Sequence, residues 1–89
     1  MKQFHVYYSA NARKALRKLD PGIRNMILKW IDKNLDGCTD ARVHGKALTG
    51  NLAGLWRYRI GDCRLIADIQ DGKLVILMLE IGHRSGIYQ

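Results

Sequence analysis

The chain has 89 residues, enough for one domain around one modest core and too few for two. Hydrophobic residues make up 47% and charged residues 26%, a balance that excludes a disordered or low-complexity chain. Fifteen Lys and Arg against eight Asp and Glu leave a net charge of +7, which draws polyanions (nucleic acid, an acidic membrane face or an acidic protein) without choosing among them.

Residues 2–8 are rich in strand formers and alternate loosely, so a first strand is predicted there. Ser9 or Asn11 then caps a helix running to Leu19. Ala12, Ala15, Leu16 and Leu19 form its apolar face, and Arg13, Lys14, Arg17 and Lys18 its outer one. Asp20-Pro21 restarts the helix, with Asp as cap and Pro in the first turn. Ile23, Met26, Ile27, Trp30, Ile31 and Leu35 follow at the spacing of a core-facing stripe, and Gly37 suits its end. A tight turn between the helices predicts an antiparallel hairpin. Residues 38–54 have no clear periodicity and read as a long loop, a feature often functional in a small domain. Three strands follow, over 55–60, 63–70 and 73–81. Gly61-Asp62 and Asp71-Gly72 are the hairpin turns between them. The expected fold class is α+β: β-α-α-β-β-β, an antiparallel sheet with the helical hairpin on one face, in one domain over residues 1–89.

Cys38 and Cys63 form no CxxC motif and no His/Cys set at zinc spacing, so free thiols are expected, with no metal and no cofactor. Residues 1–10 lack the apolar run of a signal peptide and no segment approaches transmembrane length. A cytoplasmic chain without a membrane partner is the expectation.

Register concentrates the charge. With Gly61-Asp62 as the turn, Arg59 faces Arg64 across the strands, and alternation puts Arg57 on that same side. Trp56, Tyr58, Ile60, Cys63, Leu65, Ala67 and Ile69 take the other, apolar side. Like charges directly opposite each other disfavour a sheet, and guanidinium groups do not shed their proton to relieve it. The same groups match phosphate with bidentate hydrogen bonds, so an anion site outranks a merely solvated face. The last strand is apolar throughout. Leu74, Ile76 and Met78 are assigned to the helix side, while Val75, Leu77 and Leu79 are left on the arginine side for a partner. If parity persists, His83 lies beside Arg59 and Arg64. Arg84 and Tyr88 follow it, with the phenol suited to stacking on a base.

Leu55-Trp56-Arg57-Tyr58-Arg59-Ile60-Gly61-Asp62, then Arg64-Leu65-Ile66, then Gly82-His83-Arg84 with Ile87-Tyr88, resemble the RelE/ParE toxin superfamily. Lys46-Ala47-Leu48-Thr49-Gly50 ahead of the meander extends the likeness over nearly the whole chain. The resemblance implies a bacterial toxin neutralised by a cognate antitoxin. RelE-type members are ribosome-dependent endoribonucleases that cleave messenger RNA, whereas the ParE branch poisons DNA gyrase. Arg57, Arg59, Arg64, Arg84 and Tyr88 match the RelE motif and favour the ribonuclease branch. The tail departs from the usual Gly-His-Arg-Arg, reading Gly82-His83-Arg84-Ser85.

On this reading Arg59, Arg64, His83, Arg84 and Tyr88 are the catalytic candidates, and Lys46, Arg57 and His44 the RNA-binding ones. The expected reaction is metal-independent attack of the 2′-hydroxyl on phosphorus, with His83 as general acid or base because arginine is a poor base. The antitoxin is expected over Val75, Leu77, Leu79 and the tail. A gyrase-directed toxin and a non-catalytic RNA-binding module remain the alternatives.

Overall fold

The computed structural model describes residues 2–83. Strand β1 (His5–Tyr8) leads into helix α1 (Ala10–Lys18) and helix α2 (Pro21–Asn34). Four further strands follow: β2 (Gly45–Ala47), β3 (Trp56–Ile60), β4 (Cys63–Gln70) and β5 (Val75–His83). They form one five-stranded sheet in the order β1-β5-β4-β3-β2. The α+β architecture, the helical hairpin and the β3-β4-β5 meander are as the sequence predicts. No helix among the described residues is long and apolar enough to cross a membrane.

Both helix starts are capped as their sequences indicate. The Ser9 hydroxyl accepts from the Ala12 N–H at 3.0 Å, and the Asp20 carboxylate accepts from the Gly22 N–H at 3.0 Å. Ala12 and Leu16 of α1 and Ile27 and Ile31 of α2 are buried with Leu35, Tyr58, Leu65, Ile76 and Met78 in one core under a single face of the sheet. Each Leu, Ile and Met side chain among them contributes roughly 1.5–3 kcal/mol of burial, which outweighs the weak strand propensity of several segments.

The sheet differs from the expected meander in three places. First, β1 runs parallel to β5, pairing Val6 with Ile76 and Tyr8 with Met78, so the sheet is mixed. The helices occupy one face, so β1 has to lie at the open, apolar edge of β5. Its own outer edge is closed in turn: Phe4 and the segment 36–38 exchange backbone hydrogen bonds of 2.7 and 2.8 Å, and the Val6 N–H donates to Asp36 at 3.1 Å.

Second, β2 lies inside the stretch expected to be a loop, pairing antiparallel with β3 through Lys46 and Arg57. Third, β4 and β5 are not joined by a two-residue Asp-Gly turn. A 3₁₀ turn at Asp71–Lys73 is followed by Leu74 in the left-handed region at φ 55, which keeps its side chain against the core.

Candidate nucleic-acid interface

Gly61 at φ +56 supplies the left-handed residue that a tight β3–β4 hairpin needs, and the register follows from it. Ile60 pairs with Cys63, Arg59 with Arg64 and Arg57 with Ile66. Continuing outward, Lys46 pairs with Arg57, and Ile66 with Glu80. The sheet face away from the helices therefore carries two rows. One reads Lys46, Arg57, Ile66, Glu80 across four strands. The next reads Arg59, Arg64, Gly82.

Lys46 and Arg59 are exposed, and Arg57 and Arg64 are half-buried. Gly82 brings no side chain to its row. Among the described residues, Arg57 and Arg59 have no carboxylate within ion-pair distance. Within the first row Ile66 is only 7% exposed, yet it stands outside the main core, making a small apolar floor beside the cations. Four cationic side chains converging on one shallow surface can grip consecutive phosphates, with the guanidinium groups offering paired donors.

The other expected site residues lie elsewhere. A β-bulge in β5 pairs Ile66 with Glu80 but Ala67 with Met78, leaving Leu79 as the extra residue. Ser9 accounts for it: its N–H donates to the Met78 carbonyl at 2.8 Å and its hydroxyl to the Leu79 carbonyl at 3.0 Å. The bulge reverses the parity of everything beyond it. His83 consequently pairs with buried Cys63, on the helix side of the sheet, and not with the arginines as alternation alone predicts. It lines a groove of about 700 Å³ between α1, α2 and the end of β5, floored by Leu19, Ile23 and Ile81.

His44 is likewise turned away from the arginine face. Its ring meets Trp30 of α2 edge-on at 5.8 Å, so this exposed imidazole belongs to the helix layer. Arg84 and Tyr88 lie outside the described residues. Among those residues, no three His, Cys, Asp or Glu side chains are grouped to hold a metal ion. Cys38 and Cys63 are both free, and burial pushes their thiols above the usual pKa.

Residues that the sequence does not single out hold β2 in place. Arg42 makes two hydrogen bonds to the Asp71 carboxylate, at 2.9 and 2.7 Å, and its guanidinium lies 5.5 Å from the Trp56 ring centre. That hydrogen-bonded pair holds the Asp71 carboxyl below the usual carboxylate range and raises Arg42. The buried Tyr58 hydroxyl donates to the Ala41 carbonyl, and burial drives the phenol's pKa upward. Arg42 and Asp71 are 29 residues apart, and no local pattern announces the pairing.

The molecule is thus a mixed sheet with a helical hairpin on one face and a cluster of cations on the other. Residues 6–88 match the family model described as the ParE toxin of the type II toxin–antitoxin system parDE, and the chain belongs to this RelE/ParE superfamily. Among relatives, Toxin RelG of Mycobacterium tuberculosis is 33% identical over 86 residues, covering 97% of each chain. The toxin–antitoxin complex RelBE2 from Mycobacterium tuberculosis contains a chain with TM-score 0.86 and 29% identity, covering 96% of this chain and 95% of that one. The isolated Escherichia coli RelE toxin shares the fold at TM-score 0.72 and 21% identity, with 90% and 83% covered.

Proposed function

We propose that the arginine face cleaves messenger RNA on the ribosome, in the cytoplasm, as the toxin of a type II pair. The observation that carries this reading is the direct opposition of Arg59 and Arg64, flanked on the same face by Arg57 and Lys46. In the reaction, the 2′-oxygen forms a bond to the adjacent phosphorus and the bond from phosphorus to the 5′-oxygen breaks. The 2′-hydroxyl proton is lost and the leaving oxygen gains one, giving a 2′,3′-cyclic phosphate and a 5′-hydroxyl. Arg59 and Arg64 neutralise the charge building on the phosphorane oxygens, where preorganised donors have their largest effect. Arg57 and Lys46 hold the flanking phosphates and so align the attack. Arg84 and Tyr88 complete the site from the tail, Tyr88 by stacking on a base.

The relative RelBE2 is a toxin–antitoxin complex, which supports a cognate antitoxin as the second partner. Val75 and Leu77 stand half-buried on the arginine side, beside Tyr7 at 57% exposure, and Leu79 marks the bulge. An amphipathic antitoxin segment over these residues would cover apolar surface and shield the cations together.

Induced expression followed by primer extension on translated messages tests the nuclease reading. Discrete cuts that vanish in Arg59→Gln and Arg64→Gln are expected. The match to a parDE toxin model keeps a gyrase-directed reading in second place. DNA breaks with intact messages would establish it and end the first.

A further inference from the structure

The sheet face that carries the cations changes character towards β1. Val6 and Tyr8 pack against the core, so Tyr7 between them turns to the opposite face, where it is 57% exposed. Tyr7 pairs with Leu77 of β5, and Leu77 pairs with Asp68 of β4, so these three side chains stand abreast on the arginine side. Asp68 lies four residues along β4 from Arg64, about 14 Å at the rise of an antiparallel strand. It is half-buried, and among the described residues no Lys, Arg or His nitrogen stands within ion-pair distance of it. The Gln70 side-chain amide donates to its Oδ2 at 3.0 Å, which fixes the carboxylate and leaves Oδ1, and the second lone pair of Oδ2, to accept from elsewhere.

We propose that Asp68 is a specificity-determining residue, which selects a guanine near the scissile bond while Tyr7 and Leu77 carry the base. The inference rests on the nuclease reading above and names which messages that site prefers. A carboxylate repels phosphate, and Glu80 in the intervening row adds to that repulsion. RNA held by the arginines therefore presents a base here and not its backbone. An exposed aromatic ring beside an apolar side chain gives such a base a surface to stack on, whatever its identity. Selection falls to the carboxylate, which only accepts hydrogen bonds. Guanine alone has two adjacent donors on its Watson–Crick edge, N1–H and N2–H, and these match the two oxygens of a carboxylate. Adenine and cytosine set a ring-nitrogen acceptor beside their amino donor, and the one N–H of uracil lies between two carbonyl oxygens. Each of these three turns a lone pair towards Asp68, and a half-buried acceptor left facing a lone pair is the costly case.

The probes are uridine octamers with one central guanine, with one central adenine, or with neither, titrated by fluorescence anisotropy against the full chain. The guanine octamer is expected to bind at least fivefold more tightly than the other two, the least that a bidentate base contact gives. Asp68→Asn keeps an acceptor for Gln70 and turns the other acceptor into a donor, a pattern that fits adenine. In this variant the guanine preference is expected to vanish, and the adenine octamer to bind at least threefold more tightly than the all-uridine one. Tyr7→Ala, a change at an exposed position, is expected to weaken the guanine octamer at least fivefold through lost stacking. Equal binding of the three octamers by the unaltered chain overturns the proposal. So does a guanine preference that survives Asp68→Asn, or a guanine octamer that binds Tyr7→Ala undiminished. If Asp68→Asn keeps the preference but releases the co-expressed antitoxin, the carboxylate docks a cation of that partner and the proposal falls. Cut sites mapped on translated messages should show guanine at one fixed offset from the cut, lost in Asp68→Asn. Should messages stay whole while the octamers still discriminate, the nuclease reading fails and Asp68 stands as a reader of guanine.

Discussion

At the scale of single residues, His83 and Tyr58 show how position overrides identity. An imidazole next to a cluster of arginines is the natural choice for proton transfer in a site without other near-neutral groups. The register instead sets His83 opposite Cys63, across the sheet from Arg59 and Arg64. His83→Gln is therefore expected to leave ribosome-dependent cleavage within about threefold, well short of the ~10²-fold or larger loss of a general acid or base. Single-turnover cleavage rates across pH 6–8 measure this, and a tenfold drop would return the imidazole to the site. Tyr58 has the reverse history. It reads as one more core aromatic, yet its hydroxyl is committed to the Ala41 carbonyl, and Ala41 is itself 1% exposed. Tyr58→Phe removes the donor and strands a buried carbonyl, at a cost of about 1–3 kcal/mol. Urea unfolding should show that loss as a lowered midpoint at unchanged m.

Among the elements, what was legible in the sequence is what is encoded locally. Ser9 and Asp20-Pro21 place both helix starts, and Gly61-Asp62 sets the register that pairs Arg59 with Arg64. The strand β2 was not legible, because Gly45-Lys46-Ala47 has no strand propensity and becomes a strand only against the open edge of β3. Nor was the bulge, which depends on Ser9 reaching the Leu79 carbonyl 70 residues away. The position of β2 is tightly determined once formed. A Cβ at Gly45 would stand 3.0 Å from Cε1 of Tyr58 and 3.3 Å from Cε3 of Trp56. Tyr58 is fully buried and held by Ala41, so it cannot swing aside. Gly45→Ala is expected to push β2 outward, cost about 1–3 kcal/mol as overpacking does, and weaken RNA binding by displacing Lys46. An RNA affinity equal to that of the unaltered chain would show that the position of β2 is immaterial. The Arg42–Asp71 pair anchors the same segment just ahead of β2, and its contribution depends on pH. The folded Asp71 carboxyl is lowered, so the stabilisation is fully present above the ordinary carboxylate pKa and fades as pH falls through the folded value. Exchange of the amides of residues 42–47, followed by NMR, should quicken in that acid window. In Asp71→Asn it should already be fast at neutral pH.

For the whole molecule, the question is whether the net charge of +7 acts as a diffuse field or through placed side chains. Salt dependence separates the two, because each phosphate neutralised on single-stranded RNA contributes about −0.7 to the slope of log K against log salt. The sheet face offers Lys46, Arg57, Arg59 and Arg64, so four contacts give a slope near −3. All seven excess charges acting together would give a slope near −5. The structure favours the smaller value, since α1 directs its four cations away from the sheet face and a short strand cannot reach both surfaces. Anisotropy titrations of a labelled oligonucleotide at several salt concentrations read the slope directly. Arg57→Gln/Arg59→Gln should then flatten it by about 1.4, two contacts' worth, whereas Arg13→Gln/Arg17→Gln should leave it unchanged. If both double variants flattened it equally, the oligonucleotide would be sensing charge without regard to place. The arginine pairing across β3 and β4 would then lose its claim to be a phosphate site.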